Sequence, residues 1–173
     1  MVGLYCDFLA QQGQFTTSML GAILKPLVSR GEIPEHIRQA FRKAKKEFGG
    51  RGLQLPDLVE IMKRAVTALP RVFVCIDALD ESTPKRRREL LGSLREIVRV
   101  SASTRIFLTG RPHVGDDIMR CFGEVVRIPV RPTWDDIRSY LEMRLDSDTD
   151  SDIMDDELRA DIMRAIPEKV SEM

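Results

Sequence analysis

The chain carries no net charge. Its 27 lysines and arginines are matched by 27 aspartates and glutamates, so no global field draws it to nucleic acid or anionic lipid. Cysteine is scarce as well. Cys6, Cys75 and Cys121 are too few and too scattered for a disulfide framework, and Cys75, inside an apolar run, reads as a small core residue. No apolar run approaches the length of a membrane span, and no charged-then-apolar leader opens the sequence. A cytoplasmic protein without membrane or nucleic-acid partners is expected. Also absent is any G-x-x-x-x-G-K-[ST] loop, whose backbone amides, lysine and hydroxyl would cradle phosphates. Gly49-Gly50-Arg51-Gly52 is glycine-rich, but it lacks the lysine–hydroxyl pair and follows no predicted strand, so it reads as a turn. No internal repeat is visible.

What is present is more specific. The 173 residues, 43% apolar and 31% charged, suffice for one domain with a real core or for part of a larger one. Val72-Phe73-Val74-Cys75-Ile76 runs straight into Asp77-Ala78-Leu79-Asp80-Glu81. An apolar run without polar alternation reads as a strand of a parallel sheet buried on both faces. Carboxylates just past its C-terminal end sit where open α/β sheets bind ligands. There they suit a hydrated Mg²⁺ and the polarising of a water. The competing reading is a strand followed by a solvated acidic turn.

Strands and helices alternate along the rest. Val2–Phe8 predicts a short strand, and Met19, Leu20, Ile23, Leu24 and Leu27 the stripe of a helix. Ile37, Phe41, Ala44 and Phe48 mark a second helix, and Leu58, Ile61, Met62, Ala65, Val66 and Leu69 a third that follows Pro56. After the acids, Thr83 caps a helix with Pro84 at its first position and Leu90, Leu91, Leu94, Ile97 and Val98 inward. Thr104–Thr109 predicts a strand ending in Gly110-Arg111-Pro112-His113, and Val125–Val130 another after a short helix around Ile118. Thr133 caps a helix with Trp134, Ile137, Tyr140 and Leu141 inward, and a closing helix spans roughly Asp155 to Ile166. This order argues for an α/β fold with a parallel sheet wrapped on both faces.

The succession of strand, long helical crossover, V-C-I-D-A-L-D-E, amphipathic helix and I-F-L-T-G-R-P resembles the NACHT family of signalling NTPases. The likeness is to the STAND-type P-loop NTPases, and within them to the fungal, nephrocystin-type N-terminal version found in incompatibility and immune-receptor-like proteins. It runs from Gly3 to about Leu145. The resemblance implies a three-layer P-loop fold, here partial, with a sheet of about four strands. Asp77 matches the Walker B aspartate that holds Mg²⁺ through a water. Ala78 and Leu79 fill spacer positions, and Asp80, with Glu81 beside it, matches the carboxylate that orients or deprotonates the attacking water. Arg111 matches a sensor arginine, whose planar fork pairs two phosphate oxygens; the competing reading is a loop arginine paired with Asp116 or Asp117. His113 reads as a polar turn residue. ATP or GTP with Mg²⁺ is the implied cofactor.

The family's phosphate loop and its strand would precede the region resembling Gly3–Phe8. The expectation is therefore a fragment whose central Walker A strand is missing, from between Thr104–Thr109 and Val125–Val130, and which does not bind nucleotide tightly or turn it over by itself. The organisation expected is a core at 1–145, an acidic linker at 146–154, and the start of a helical lid at 155–173, with upstream phosphate-loop and downstream lid or repeat segments as partners. Two rival readings stand. One is a nucleotide-independent interaction scaffold that pairs with a repeat array or itself, for which Lys85-Arg86-Arg87-Arg88 is a candidate contact patch. The other is a single calcium loop, with Asp146, Asp148, Asp150, Asp152 and Glu157 at positions one, three, five, seven and twelve, but Ser151 where glycine is needed. A solvated acidic linker accounts for the same residues.

Overall fold

The apolar run at 72–76 becomes the middle strand of a parallel sheet in the computed structural model, which describes residues 1–9, 13–29, 35, 38–39, 42, 53–147 and 155–171. Strand β1 is Val2–Tyr5, β2 is Val72–Asp77 and β3 is Thr104–Leu108. Their order is β1-β2-β3, with Val2 level with Val74 and Val74 level with Ile106. Successive strand residues point to opposite faces. Val2, Val72, Val74, Ile76 and Thr104 therefore share one buried face with the half-buried Leu4, Ile106 and Leu108.

Three helices cover that face. Helix α1 is Thr16–Val28, α2 is Leu55–Thr67 and α3 is Pro84–Arg99. The last two start where local signals place them. Pro56 opens α2, where its missing N–H is no loss. Thr83 caps α3 by accepting from the Arg86 N–H at 3.4 Å, with Pro84 next. Their inward stripes are those the spacing predicts: Met19, Leu20, Ile23 and Leu24 from α1, Leu58, Ile61, Met62, Ala65 and Val66 from α2, and Leu90, Leu91, Leu94 and Ile97 from α3. Burying each leucine contributes roughly 1.5–3 kcal/mol. A short helix, α4 (Gly115–Phe122), joins this layer through Arg87, which is buried on α3 and pairs with Asp117 at 2.9 Å. Arg87 also donates to the Ser82 carbonyl at 3.2 Å.

The chain forms two compact units, Met1–Val125 and Val126–Met173. The second holds α5 (Trp134–Asp146) and α6 (Asp156–Ser171), which pack together. Thr133 and Asp136 close a reciprocal cap at the start of α5, and the Arg159 guanidinium lies 2.5 Å from the Asp146 carboxylate. No described helix is long and apolar enough to cross a membrane.

The mixed α/β class and the parallel sheet are as expected, but several details differ. Three strands form among the described residues, not four. Val125–Val130 makes no strand, because a strand exists only when its backbone pairs, and Val126, Ile128 and Val130 are exposed with no ladder partner. Among the described residues of the first unit the helices pack on one face of the sheet, and Tyr5, Phe73 and Phe107 on the other are 63%, 42% and 59% exposed. Along α5, only Leu141 is buried, and Trp134 and Tyr140 are exposed, because a pair of helices covers a narrow stripe. The four basic residues from Lys85 to Arg88 do not make one surface patch: Arg87 is buried, and the Arg86 guanidinium stacks 4.7 Å from the centre of the Phe15 ring. Most of the helix expected across 37–48 (all but 38–39 and 42, which are helical), Gly49–Gly52 and most of the candidate calcium loop (148–154) lie outside the described residues.

Breaking the Arg87–Asp117 pair from one side strands a charge in the interior. Asp117→Asn is expected to cost about 3 kcal/mol in a urea titration, while Asp116→Asn, at an exposed neighbour, leaves the midpoint within error.

Candidate functional site

The carboxyl ends of β2 and β3 are stitched together by one residue, Thr109. Its N–H donates to the Ile76 carbonyl at 2.9 Å, and its carbonyl accepts from the Leu79 N–H at 2.9 Å. Its hydroxyl accepts from the Ala78 N–H at 3.0 Å and donates to the Asp77 carboxylate. These bonds hold Ala78 in the left-handed region, at φ 54° and ψ 45°, where an L side chain crowds its own carbonyl. The reversal at Ala78 is followed by a tight turn, Leu79–Glu81, anchored by the fully buried Leu79 side chain and the Ser82 hydroxyl on the Leu79 carbonyl at 2.7 Å.

The turn sends the acids in different directions. Asp77 is exposed and, among the described residues, its carboxylate is held only by Thr109. Asp80 folds back toward the end of β3 and keeps 8% of its side-chain surface. Its Oδ1 accepts from the Arg111 N–H at 3.2 Å, and its Oδ2 lies 3.2 Å from the Arg111 Nε. Arg111 is 74% exposed, so this ion pair has one foot in solvent. Arg111 thus pairs neither with Asp116 nor with Asp117, the local partners open to it on sequence. Gly110 makes the approach feasible: a Cβ there would lie 2.9 Å from the Val114 Cγ2 and 3.3 Å from the Asp80 Oδ1. Glu81 is half-buried in the same turn. His113 is exposed beyond Arg111.

Cys6 lies fully buried beneath these charges, its N–H donating to the Asp77 carbonyl at 3.0 Å. Burial first, and then the negative charges of Asp77, Asp80 and Glu81, push its thiol up to about 11 from an ordinary 9.0.

The residues singled out on sequence, Asp77, Asp80, Glu81 and Arg111, come together at one end of the sheet. Three others emerge only from the structure. Thr109 clamps Asp77, Gly110 admits Asp80, and Cys6 forms the floor. A hydroxyl at the last position of a strand, level with the acids, was the available signal for Thr109. Chemically, the exposed Asp77 can take part in holding a hydrated divalent cation. Mg²⁺ characteristically uses one or two carboxylates and completes its shell with water and phosphate oxygens. Among the described residues no group of three or more His, Cys, Asp or Glu side chains is placed to hold a metal ion by itself. Asp80 is engaged by the Arg111 guanidinium and backbone N–H, which occupy both of its carboxylate oxygens.

Residues 1–111, β1 through Arg111, match the sequence family described as Nephrocystin 3, N-terminal. No curated protein and no solved structure matches the chain.

Two expectations follow from this geometry. Ala78→Val should destabilise by roughly 1–3 kcal/mol, because a β-branched residue tolerates the left-handed region poorly, whereas Ala78→Gly should not; chemical denaturation reads both. For Cys6, the raised thiol favours the folded state below about pH 9, and that contribution is lost as pH rises toward about 11, since the unfolded chain gives up its proton first. In iodoacetamide labelling at pH 8, Cys6 should react last of the three cysteines; equal labelling would contradict its burial.

Proposed function

This chain belongs to the nephrocystin 3, N-terminal family, and from that membership we propose that it carries the cation-and-water half of a NACHT-type nucleotide switch. The nucleotide would be ATP or GTP with Mg²⁺. The observation that carries the reading is the convergence of Asp77, Asp80 and Arg111 at the carboxyl edge of a parallel sheet, through the Thr109 clamp and the Asp80–Arg111 pair. Asp77, the exposed acid, would hold the cation through water. Asp80, with Glu81 beside it, would orient or deprotonate the attacking water. Arg111 would read the terminal phosphate.

The pairing of Asp80 with Arg111 suggests how the two roles are linked. Arg111, 74% exposed, can exchange Asp80 for another anion, and a terminal phosphate offers two oxygens to its fork. Binding a triphosphate would then free the carboxylate at the moment a water needs it. Loss of that phosphate would return Arg111 to Asp80, a local change of ion-pair partner able to bias a two-state packing. The protein would work as a cytoplasmic signalling switch alongside lid or repeat segments, with self-association as an output.

Phosphate affinity is the weak point of the reading, because the sequence has no G-x-x-x-x-G-K-[ST], and carboxylates alone repel a nucleotide. The same fact, together with the neutralised Asp80, favours a second reading: a scaffold of this family that acts by contact and leaves nucleotide aside.

Titration with fluorescent ATP and GTP analogues separates them. The chain alone is expected to bind more weakly than about 1 mM. Fusing a strand, a G-x-x-x-x-G-K-[ST] loop and a helix ahead of Met1 should produce Mg²⁺-dependent binding that Asp77→Asn weakens at least tenfold, while Arg111→Ala erodes the preference for tri- over diphosphate. Binding that Asp77→Asn leaves intact would overturn the Walker B assignment; no gain from the fusion would favour the scaffold.

A further inference from the structure

Acids and bases are mixed along the sequence of α3, yet the helix sorts them. At about 100° per residue, Lys85, Arg88, Gly92, Arg95 and Arg99 fall within an arc of about 80°, opposite the buried Leu90, Leu94 and Ile97. The acids stand at one border of this stripe and are already engaged. Glu89 accepts from the Thr16 hydroxyl, and Glu96 pairs with Lys63 at 3.0 Å. The other border is α4, where burial raises the Cys121 thiol and the charges of Arg95 and Arg99 pull it back down. Lys85, Arg88, Arg95 and Arg99 are exposed, and none has an acidic partner among the described residues. Arg88 donates from Nε to the Pro84 carbonyl at 3.1 Å, which leaves its terminal nitrogens to solvent. The unit Met1–Val125 holds 20 of the 27 basic residues and 14 of the 27 acidic ones, so its own field is positive although the chain sums to zero. The middle of the stripe is Gly92, and glycine is the poorest helix former after proline. Packing does not require it, because a Cβ there would meet nothing within 4 Å. Between Arg88 and Arg95, about 10 Å apart along the axis, it leaves a notch in a row of long side chains.

We propose that this face of α3 docks an acidic helix of another protein, laid lengthwise, with carboxylates on the four cations and one bulkier side chain in the Gly92 notch. Three of the four cations are arginines, whose planar forks match a carboxylate oxygen for oxygen. The stripe is straight and about 21 Å long. Its cations recur after three, seven and four residues, spacings that a second helix reproduces on one of its own faces. A residue without a side chain at the contact lets two helix axes come close. Other polyanions fit less well. Single-stranded nucleic acid is held by aromatic stacking beside the charges, and the stripe has no aromatic residue. A helix lying on a membrane inserts its apolar face, and that of α3 is already in the core. The proposal stands independently of the nucleotide reading, since none of these residues belongs to the acid–arginine centre.

Fluorescence anisotropy on the intact chain provides the test, with circular dichroism confirming the fold of each variant. The probe is a labelled model helix of alanine and glutamine, with glutamates at spacings of three, seven and four and a leucine midway. Binding is expected in about 10 mM salt, where charges act over roughly 30 Å, and should weaken at least fivefold by about 150 mM. The double variant R95E/R99E should lose at least tenfold in affinity, and a probe with lysines in place of the glutamates should prefer that variant to the wild type. Gly92→Leu projects into open space, so it should keep or raise the urea midpoint while weakening the probe at least tenfold. A glycine kept for the helix's own packing would give the reverse, a lower midpoint with binding intact, and would overturn the proposal. So would a wild type that ignores the probe in about 10 mM salt, or an R95E/R99E variant that binds it normally. Tighter binding of an oligothymidylate or of phosphatidylserine vesicles than of the probe would also overturn it, and would assign the stripe to phosphate.

Discussion

Everything at the carboxyl edge of the sheet hangs on Thr109. Its backbone closes the last rungs between β2 and the turn after it, and its hydroxyl serves Ala78 and Asp77 together. A residue that satisfies a strand end, a strained reversal and a carboxylate at once sets the direction of all that follows. Leu79 drops into the core because Ala78 turns left-handed, and Asp80 reaches Arg111 because Leu79 is fixed. The acid–arginine arrangement is thus a product of backbone geometry, with charge attraction acting on groups already brought near. Beneath it, Arg87 ties the Ser82 carbonyl to Asp117, so the same loop is braced from the α3–α4 side.

Much of this was legible in the sequence because its signals were local. The run from Val72 to Ile76 and the acids after it were enough to place a strand and a charged end. Thr83 with Pro84, and Thr133, announced helix starts that the structure keeps. What the sequence concealed were properties of neighbours. Phe73 looks like a core residue in any reading of β2, yet it is half out in solvent, because apolarity records what a face is suited to and not what covers it. Val125–Val130 has the composition of a strand and no ladder partner among the described residues. Arg111 had plausible acids close by in sequence; the one it chose lies thirty-one residues away, across the strand ends.

The sheet is accordingly a half-furnished object. One face has a well-packed helical layer, while the other carries Tyr5, Phe73 and Phe107 in the open.

Gly110 carries a lesson for anyone reading natural variation in this sequence. Every replacement there brings at least a methyl group to within 2.9 Å of Val114 and 3.3 Å of the Asp80 carboxylate. A codon change at that position would therefore disturb the charged centre while leaving every charged residue in place. Surveys that score only acids and bases would file it as silent, when it is among the least forgiving spots on the loop.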